Sequence, residues 1–286
     1  MQRLVDVWPQ ISSFANLYQA YRKARKGKRQ RKDVIQFELN LEAELFALER
    51  ELRSGNYQPR PYRLFVIKER KRREIAAAAF RDRVVQHSIM LVLEPHLEQC
   101  FITHSYACRK GKGVHRAVDQ YQRWAQHYNY CMKLDIQRYF PQVDHLLLKK
   151  QLRLYIQDVD LLYCLANIVD SYPEDDLSER PIGMPIGNLT SQIFANLYLN
   201  QIDHFLAAQS NIRYLRYVDY FIVLGRDKES LWQLKASLSA NLQCLHLNLH
   251  PRKAQVMRVT ERLDILGYKV SRGRRWLRND NGHRFN

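Results

Sequence analysis

Gly183-Met184-Pro185-Ile186-Gly187-Asn188-Leu189-Thr190-Ser191-Gln192 lies between two aspartates set in different local sequence. Upstream, Tyr130-Cys131-Met132-Lys133-Leu134-Asp135 is an apolar run that closes on an acid. Downstream, Arg216-Tyr217-Val218-Asp219-Tyr220-Phe221-Ile222-Val223 carries its acid where a hairpin would turn. Taken singly, each aspartate is most simply a turn former or a helix cap. Their order changes that balance: an acid at a strand end, a glycine-hinged platform, then an acid on a tight turn. Carboxylates from two neighbouring strands are the hard oxygen donors that Mg²⁺ selects. Two such ions, about 3.5–4 Å apart, are what nucleotidyl transfer requires. Asp135 and Asp219 are therefore the candidate metal ligands and catalytic residues, with two Mg²⁺ ions as the expected cofactor.

Outward from this centre the pattern alternates. Tyr130 to Ile136 reads as a strand and Val143 to Tyr155 as a leucine-rich helix. Tyr172 to Arg180 is a polar loop, and Leu189 to Leu206 is apolar at helical spacing. Arg213 to Leu224 reads as two short strands, Leu231 to Leu245 as a helix, and Leu263 to Val270 as a final strand. The order β-α-α-β-β-α-β predicts an α+β architecture, an antiparallel sheet backed by helices. Nearer the N-terminus, a helical stretch at Ile11 to Tyr21 runs into Arg22-Lys23-Ala24-Arg25-Lys26-Gly27-Lys28-Arg29-Gln30-Arg31-Lys32. That density of like charge predicts an unpacked arm that orders on a polyanion. Leu41, Leu45, Leu48 and Leu52 mark one helix face, with Gly55 at its C-terminal cap. Arg63 to Ile67 reads as a strand and Lys68 to Arg73 as a basic hairpin tip. A strand end followed by a helix is expected over Ile75 to Met90.

Composition bounds the function. The 286 residues hold 46 Lys and Arg against 29 Asp and Glu, a formal net charge of +17, so polyanions are the expected partner class. A hydrophobic share of 46% excludes disorder throughout. No apolar run reaches the roughly 18 residues that a membrane span needs. Five cysteines without C-x-x-C spacing read as reduced, mostly buried thiols in a cytoplasmic protein.

Further candidates follow from chemistry. Phe140, five residues after Asp135, is placed to lie against a nucleotide sugar. Lys68, Arg72, Arg73, Arg83, Arg109 and Lys112 are candidates for triphosphate and template backbone, with Arg73 and Arg109 foremost. Arg109 and Lys112 belong to a glycine-punctuated basic loop, Ser105 to His115, of the kind that presents amides and cations to phosphates. His250 and Lys253 are the candidate proton donors to a leaving pyrophosphate.

From about Tyr57 to Val270 the chain resembles prokaryotic reverse transcriptases of the retron and group II intron class. It is most similar to those of diversity-generating retroelements. The marker is Ile186-Gly187-Asn188-Leu189-Thr190-Ser191-Gln192, with an aliphatic first residue and Ser-Gln at the end. Ala79-Phe80-Arg81-Asp82-Arg83-Val84-Val85-Gln86-His87, Tyr106-Ala107-Cys108-Arg109 and Ile265-Leu266-Gly267-Tyr268 also resemble that group.

The resemblance implies a right-handed polymerase fold. Residues 1–56 would be a helical and basic extension, 57–127 fingers, 128–270 palm, and 271–286 the start of a truncated thumb. It implies RNA-templated cDNA synthesis, error-prone at adenines, by a prokaryotic or phage-encoded enzyme. The partners implied are template RNA, the cDNA/RNA duplex, dNTPs and a small basic accessory protein. Ile136 would stand beside the two aspartates at the metal site, and Ile186 and Gly187 at the nucleotide. Ser191 and Gln192 would meet the template, and Leu266, Gly267 and Tyr268 would form the primer grip. The chain departs from the family pattern at Tyr220, where the family has a second Asp. That departure leaves open a catalytically impaired RNA-binding protein, beside the alternative of a retron- or group II intron-like enzyme.

Overall fold

The computed structural model describes residues 2–68, 72–172 and 180–278. In chain order its elements begin with α1 (Trp8–Ser12), α2 (Phe14–Ala24), α3 (Lys32–Leu39), α4 (Leu41–Arg53), β1 (Arg63–Lys68), β2 (Arg72–Ala77) and α5 (Phe80–Glu98). There follow α6 (Val114–Ala125), β3 (Tyr130–Asp135), α7 (Tyr139–Gln142), α8 (His145–Tyr155), α9 (Val159–Asp170), α10 (Leu189–Tyr198) and α11 (Asn200–Ala207). The last are β4 (Arg213–Tyr217), β5 (Tyr220–Gly225), α12 (Lys228–Gln243), β6 (Gln255–Arg258), β7 (Leu263–Ile265), β8 (Tyr268–Val270) and β9 (Arg275–Leu277). The class is α+β, as the element order predicts. Two compact units interleave along the chain, Met1–Cys100 with Phe140–Tyr198 and Phe101–Tyr139 with Leu199–Asn286.

The first unit is helical, with the β1–β2 hairpin as its sheet. Helix α5 is its axis, burying Val84, Val85, Ile89, Leu93 and Leu97. Helix α2 packs along it, and the Asn16 amide donates to Ser88 Oγ at 2.7 Å and to the Ser88 carbonyl at 3.1 Å. The basic run departs from expectation, for it is not a free arm. It ends α2, turns, and starts α3. Later acids offset the charge, since Arg25 pairs with Glu38 at 2.9 Å and the Asp33 carboxylate, itself paired with Arg83, attracts Lys28. The ring of Phe37 on α3 also meets Phe80 edge-on, with centroids 5.2 Å apart. In the glycine segment, Gly183 sits at φ +112, where a Cβ would come within 3.0 Å of the Tyr172 ring. Its carbonyl is held by His145 Nε2 at 2.7 Å.

The second unit holds the four-stranded antiparallel sheet, in the order β4-β5-β3-β6. Helix α6 buries Ala117, Val118, Tyr121 and Ala125, a spacing that puts all four on one helix face. They share a core with Cys131, Leu215, Ile222 and Leu224 from the sheet. The expected final strand, Leu263 to Val270, is two strands. Leu266 and Gly267 both take positive φ (50° and 90°), the two-residue turn that closes a tight hairpin. Arg275–Leu277, expected to open a thumb, adds β9 to that hairpin. The single helix expected over Leu189 to Leu206 is likewise two, α10 and α11. Of the cysteines only Cys131 and Cys164 are buried, fewer than composition suggested. Among the described residues no helix is long and apolar enough to cross a membrane.

Candidate active site

Strand β3 is apolar but for Lys133 before its closing acid, so it buries Cys131, Met132 and Leu134 and delivers Asp135 to the sheet's end. Asp135 pairs in register with Tyr220, the first residue of β5. The turn between β4 and β5 is only Val218 and Asp219, and the Ile136 N–H donates to the Asp219 carbonyl at 3.0 Å. On the other flank, the main chain from Leu247 to Lys253 runs beside the end of β3. The Gln137 N–H donates to the Asn248 carbonyl at 2.8 Å, and the His250 N–H to the Asp135 carbonyl at 2.7 Å. Lys253 thereby reaches back, its Nζ 3.0 Å from Asp135 Oδ2. Three segments distant in sequence thus converge on two carboxylates and one ammonium.

The electrostatics reflect that convergence. Burial raises the Asp219 carboxyl above its ordinary pKa, and the Asp135 charge raises it further. Its own main-chain N–H, Lys253 and Arg216 oppose the rise. Lys133 is lowered by burial against the pull of Asp264 and Asp135. The donor set suits Mg²⁺, with hard oxygens whose mutual repulsion a divalent cation would relieve, and with an ammonium already countering one of them. Among the described residues no group of three or more His, Cys, Asp or Glu is arranged to hold a metal. Asp135 and Asp219 would hold such an ion, and Mg²⁺ commonly keeps waters and takes substrate phosphates beside one or two carboxylates.

Tyr220 is half-buried and packs against the unit's core. Its hydroxyl donates to the Asp264 carbonyl at 3.2 Å, and Lys133 Nζ sits 5.0 Å from its ring centroid. Burial drives the phenol well above its usual pKa, so the side chain is neutral. Lys133 also donates to the Asp264 carbonyl, at 3.0 Å. Lys133 and Asp264 are neighbours of the site that sequence reasoning missed. The available signal was a lysine inside an otherwise apolar strand.

The other expected residues are distributed over both units. In the second unit, Arg109 donates to the carbonyls of Ile102 (2.6 Å) and Ser105 (3.0 Å) and stacks on Phe101, which makes it a brace for its own loop. Lys112 donates to the Thr103 carbonyl at 2.7 Å. His250 Nδ1 accepts from the Arg252 N–H at 3.2 Å. Leu266 and Gly267 form the β7–β8 turn, and the Tyr268 hydroxyl lies 3.1 Å from His115 Nδ1. In the first unit, Lys68, Arg72 and Arg73 belong to the β1–β2 hairpin, whose tip lies outside the described residues. Phe140 in α7 is partly exposed, and Ile186 and Gly187 form a turn with Gly187 at φ +106. Ser191 is buried in α10 and Gln192 exposed. Arg83 gathers with Lys28, Arg31 and Arg63 around Asp33, and its guanidinium is lowered by burial and by Arg31 and Arg63, against the pull of Asp33.

Comparison with known proteins places these observations. Residues 66–270 match the family model described as reverse transcriptase (RNA-dependent DNA polymerase). Protein YkfC of Escherichia coli K12 is 27% identical over 283 residues, covering 82% of this chain and 73% of that protein. Group II intron-encoded protein LtrA of Lactococcus lactis subsp. cremoris is 26% identical over 160 residues, 54% of this chain but 27% of LtrA. Telomerase from Candida tropicalis, in complex with a fragment of telomeric RNA, superposes with TM-score 0.59 at 14% identity. That match covers 78% of this chain and 45% of the telomerase chain, and it speaks to fold alone.

Proposed function

The chain belongs to the reverse transcriptase family, and from that premise we propose that it polymerises DNA on an RNA template, with Asp135 and Asp219 as its acidic pair. The observation that carries this reading is the convergence of Asp135, Asp219 and Lys253 at one sheet end. When bound, divalent cations there would neutralise the triphosphate and activate the primer hydroxyl. The chain's own part is to hold that charge. Asp135 and Asp219 supply the anionic oxygens, and Lys253, already on Asp135, is the group placed to protonate the leaving pyrophosphate. Tyr220 contributes no charge, which limits the negative field at the site.

Within the family we assign the error-prone subtype of diversity-generating retroelements, on Ile186 and Ser191-Gln192. A small basic accessory protein would then meet this basic chain through the nucleic acid both bind. Similarity to LtrA favours the second reading, an intron-type enzyme. One substitution separates them. A Gln at 186 can hydrogen-bond near the incoming nucleotide, whereas Ile offers only dispersion. The gap between correct and incorrect pairing then shrinks by about one hydrogen bond, roughly 0.5–1.5 kcal/mol. Ile186→Gln should therefore cut misincorporation opposite adenine by about two- to tenfold in primer-extension sequencing. An unchanged error spectrum removes Ile186 from the account and favours the intron-type reading.

Lys28, Arg31 and Arg83 are proposed to meet template phosphates. Each contact would release counterions, about 0.7 of a unit in the slope of log affinity against log salt for a single strand. Replacing Lys28 and Arg31 with Gln should flatten that slope by about 1.4, read by anisotropy of a labelled RNA. An unaltered slope makes the cluster a solvated surface.

A further inference from the structure

The acidic turn is strained, and a fully buried ion pair touches it. Val218 sits at φ +58, in the left-handed region, where a β-branched residue is a rare outlier. A two-residue hairpin turn usually places Gly or Asn at such a position. Strain of this kind persists only where the surroundings over-determine it. Arg216, on β4, has no exposed surface, and its guanidinium forks. Nε lies 2.9 and 3.0 Å from the two Asp203 carboxylate oxygens, and Nη2 is 2.5 Å from Oδ2. Nη1 donates to the Val218 carbonyl at 2.8 Å. Asp203 is itself fixed on α11, where its carbonyl accepts from the Tyr214 hydroxyl at 2.9 Å. The Arg216 main chain is clamped too, between the His104 carbonyl and the Tyr106 N–H, both at 2.9 Å.

We infer that Arg216 and Asp203 are positioning residues for the reaction: the pair holds the Val218 carbonyl, fixing the strained turn that aims Asp219. A buried ion pair is by itself weak evidence of stability, because desolvation offsets the attraction. Its third arm supplies the missing purpose. The two peptides of the turn are gripped separately, Val218 by Arg216 and Asp219 by the Ile136 N–H. The Asp219 side chain therefore leaves a base that is held on both sides. Only a planar fork reaches the carboxylate and the carbonyl together, so lysine, a single point of charge, serves one of them. Val218 itself touches no reacting group in this account; it transmits the grip.

The inference rests on the polymerase reading, and the experiment separates the two. Mn²⁺ binding to the full chain is followed by electron paramagnetic resonance, beside single-nucleotide extension of a primer on RNA. Circular dichroism checks that each variant is folded. Arg216→Lys should weaken Mn²⁺ binding about tenfold and lower kcat about tenfold, with KM for dNTP within threefold. Adding Val218→Gly should recover at least threefold of the Mn²⁺ affinity, since glycine takes positive φ without strain and no longer needs the grip. Should Arg216→Lys not fold, Asp203→Asn is tested with the same partner substitution and the same expectations. A wild-type chain that neither binds Mn²⁺ nor extends a primer overturns the polymerase reading and this inference with it. A competent wild type with an equally competent Arg216→Lys overturns the inference alone. So does a weakened variant that Val218→Gly leaves unrescued, because the pair is then a structural element only.

Discussion

Asp219→Asn is expected to reduce RNA-templated primer extension by about a thousandfold while raising the melting temperature of the metal-free protein at pH 7. The loss follows from charge. Metal-held stabilisation of a transferring phosphoryl group is worth several kcal/mol, and each 1.36 kcal/mol is a factor of ten. The gain follows from the raised Asp219 pKa. An acid whose folded pKa lies above its unfolded value costs nothing below the unfolded pKa, near 3.8. The cost grows as pH rises toward the folded value and is complete above it. Asparagine carries no such penalty. The stability gain should therefore be present at pH 7 and vanish by about pH 4, at about 2–4 °C for each kcal/mol relieved. A variant that keeps its activity, or that melts lower at pH 7, contradicts the assignment.

Tyr220→Asp is expected to raise the extension rate about tenfold and to lower the Mg²⁺ concentration needed for half-maximal activity. Residue 220 stands directly across from Asp135, so a carboxylate there deepens the field that holds divalent ions. Lys133, now 5.0 Å from the ring centroid, provides the new acid with a nearby counter-charge. Stability should move the other way, by several degrees, because the ring's packing against the core and its hydrogen bond to Asp264 are lost. Tyr220→Phe is the control. It removes only the hydroxyl, which points to the Asp264 carbonyl, and should leave the rate within twofold. A Tyr220→Asp variant no faster than the parent shows that charge at this position is not limiting. A Tyr220→Phe variant as fast as the Asp variant shows that the hydroxyl itself was the obstacle.

The acidic centre was legible because its signals are local. Strand β3 is mostly apolar up to Asp135, and two runs rich in aromatic and aliphatic residues flank the two-residue break at Val218 and Asp219, so strand, turn and acid can be read in place. Lys253 was legible only as one of two candidates, since its approach to Asp135 depends on the pairing of residues 248–250 with the end of β3. The basic run at residues 22–32 misled because the acids that offset its charge lie beyond it, Glu38 pairing with Arg25 and Asp33 attracting Lys28. The β7–β8 turn was hidden by Leu266, a residue that seldom takes positive φ, although Gly267 beside it was a fair warning. Arg109 shows the limit of composition. A basic glycine loop suggested phosphate binding, and the folded guanidinium is spent at least in part on its own loop's carbonyls. The interleaving of the two units has no local signature at all.

The most direct measurement is single-nucleotide extension of a DNA primer by the unmodified chain, on matched RNA and DNA templates across a Mg²⁺ titration. The account predicts that the complementary dNTP is added on the RNA template, that addition rises with Mg²⁺, and that none occurs without it. RNA bound with no extension at any Mg²⁺ concentration would contradict it.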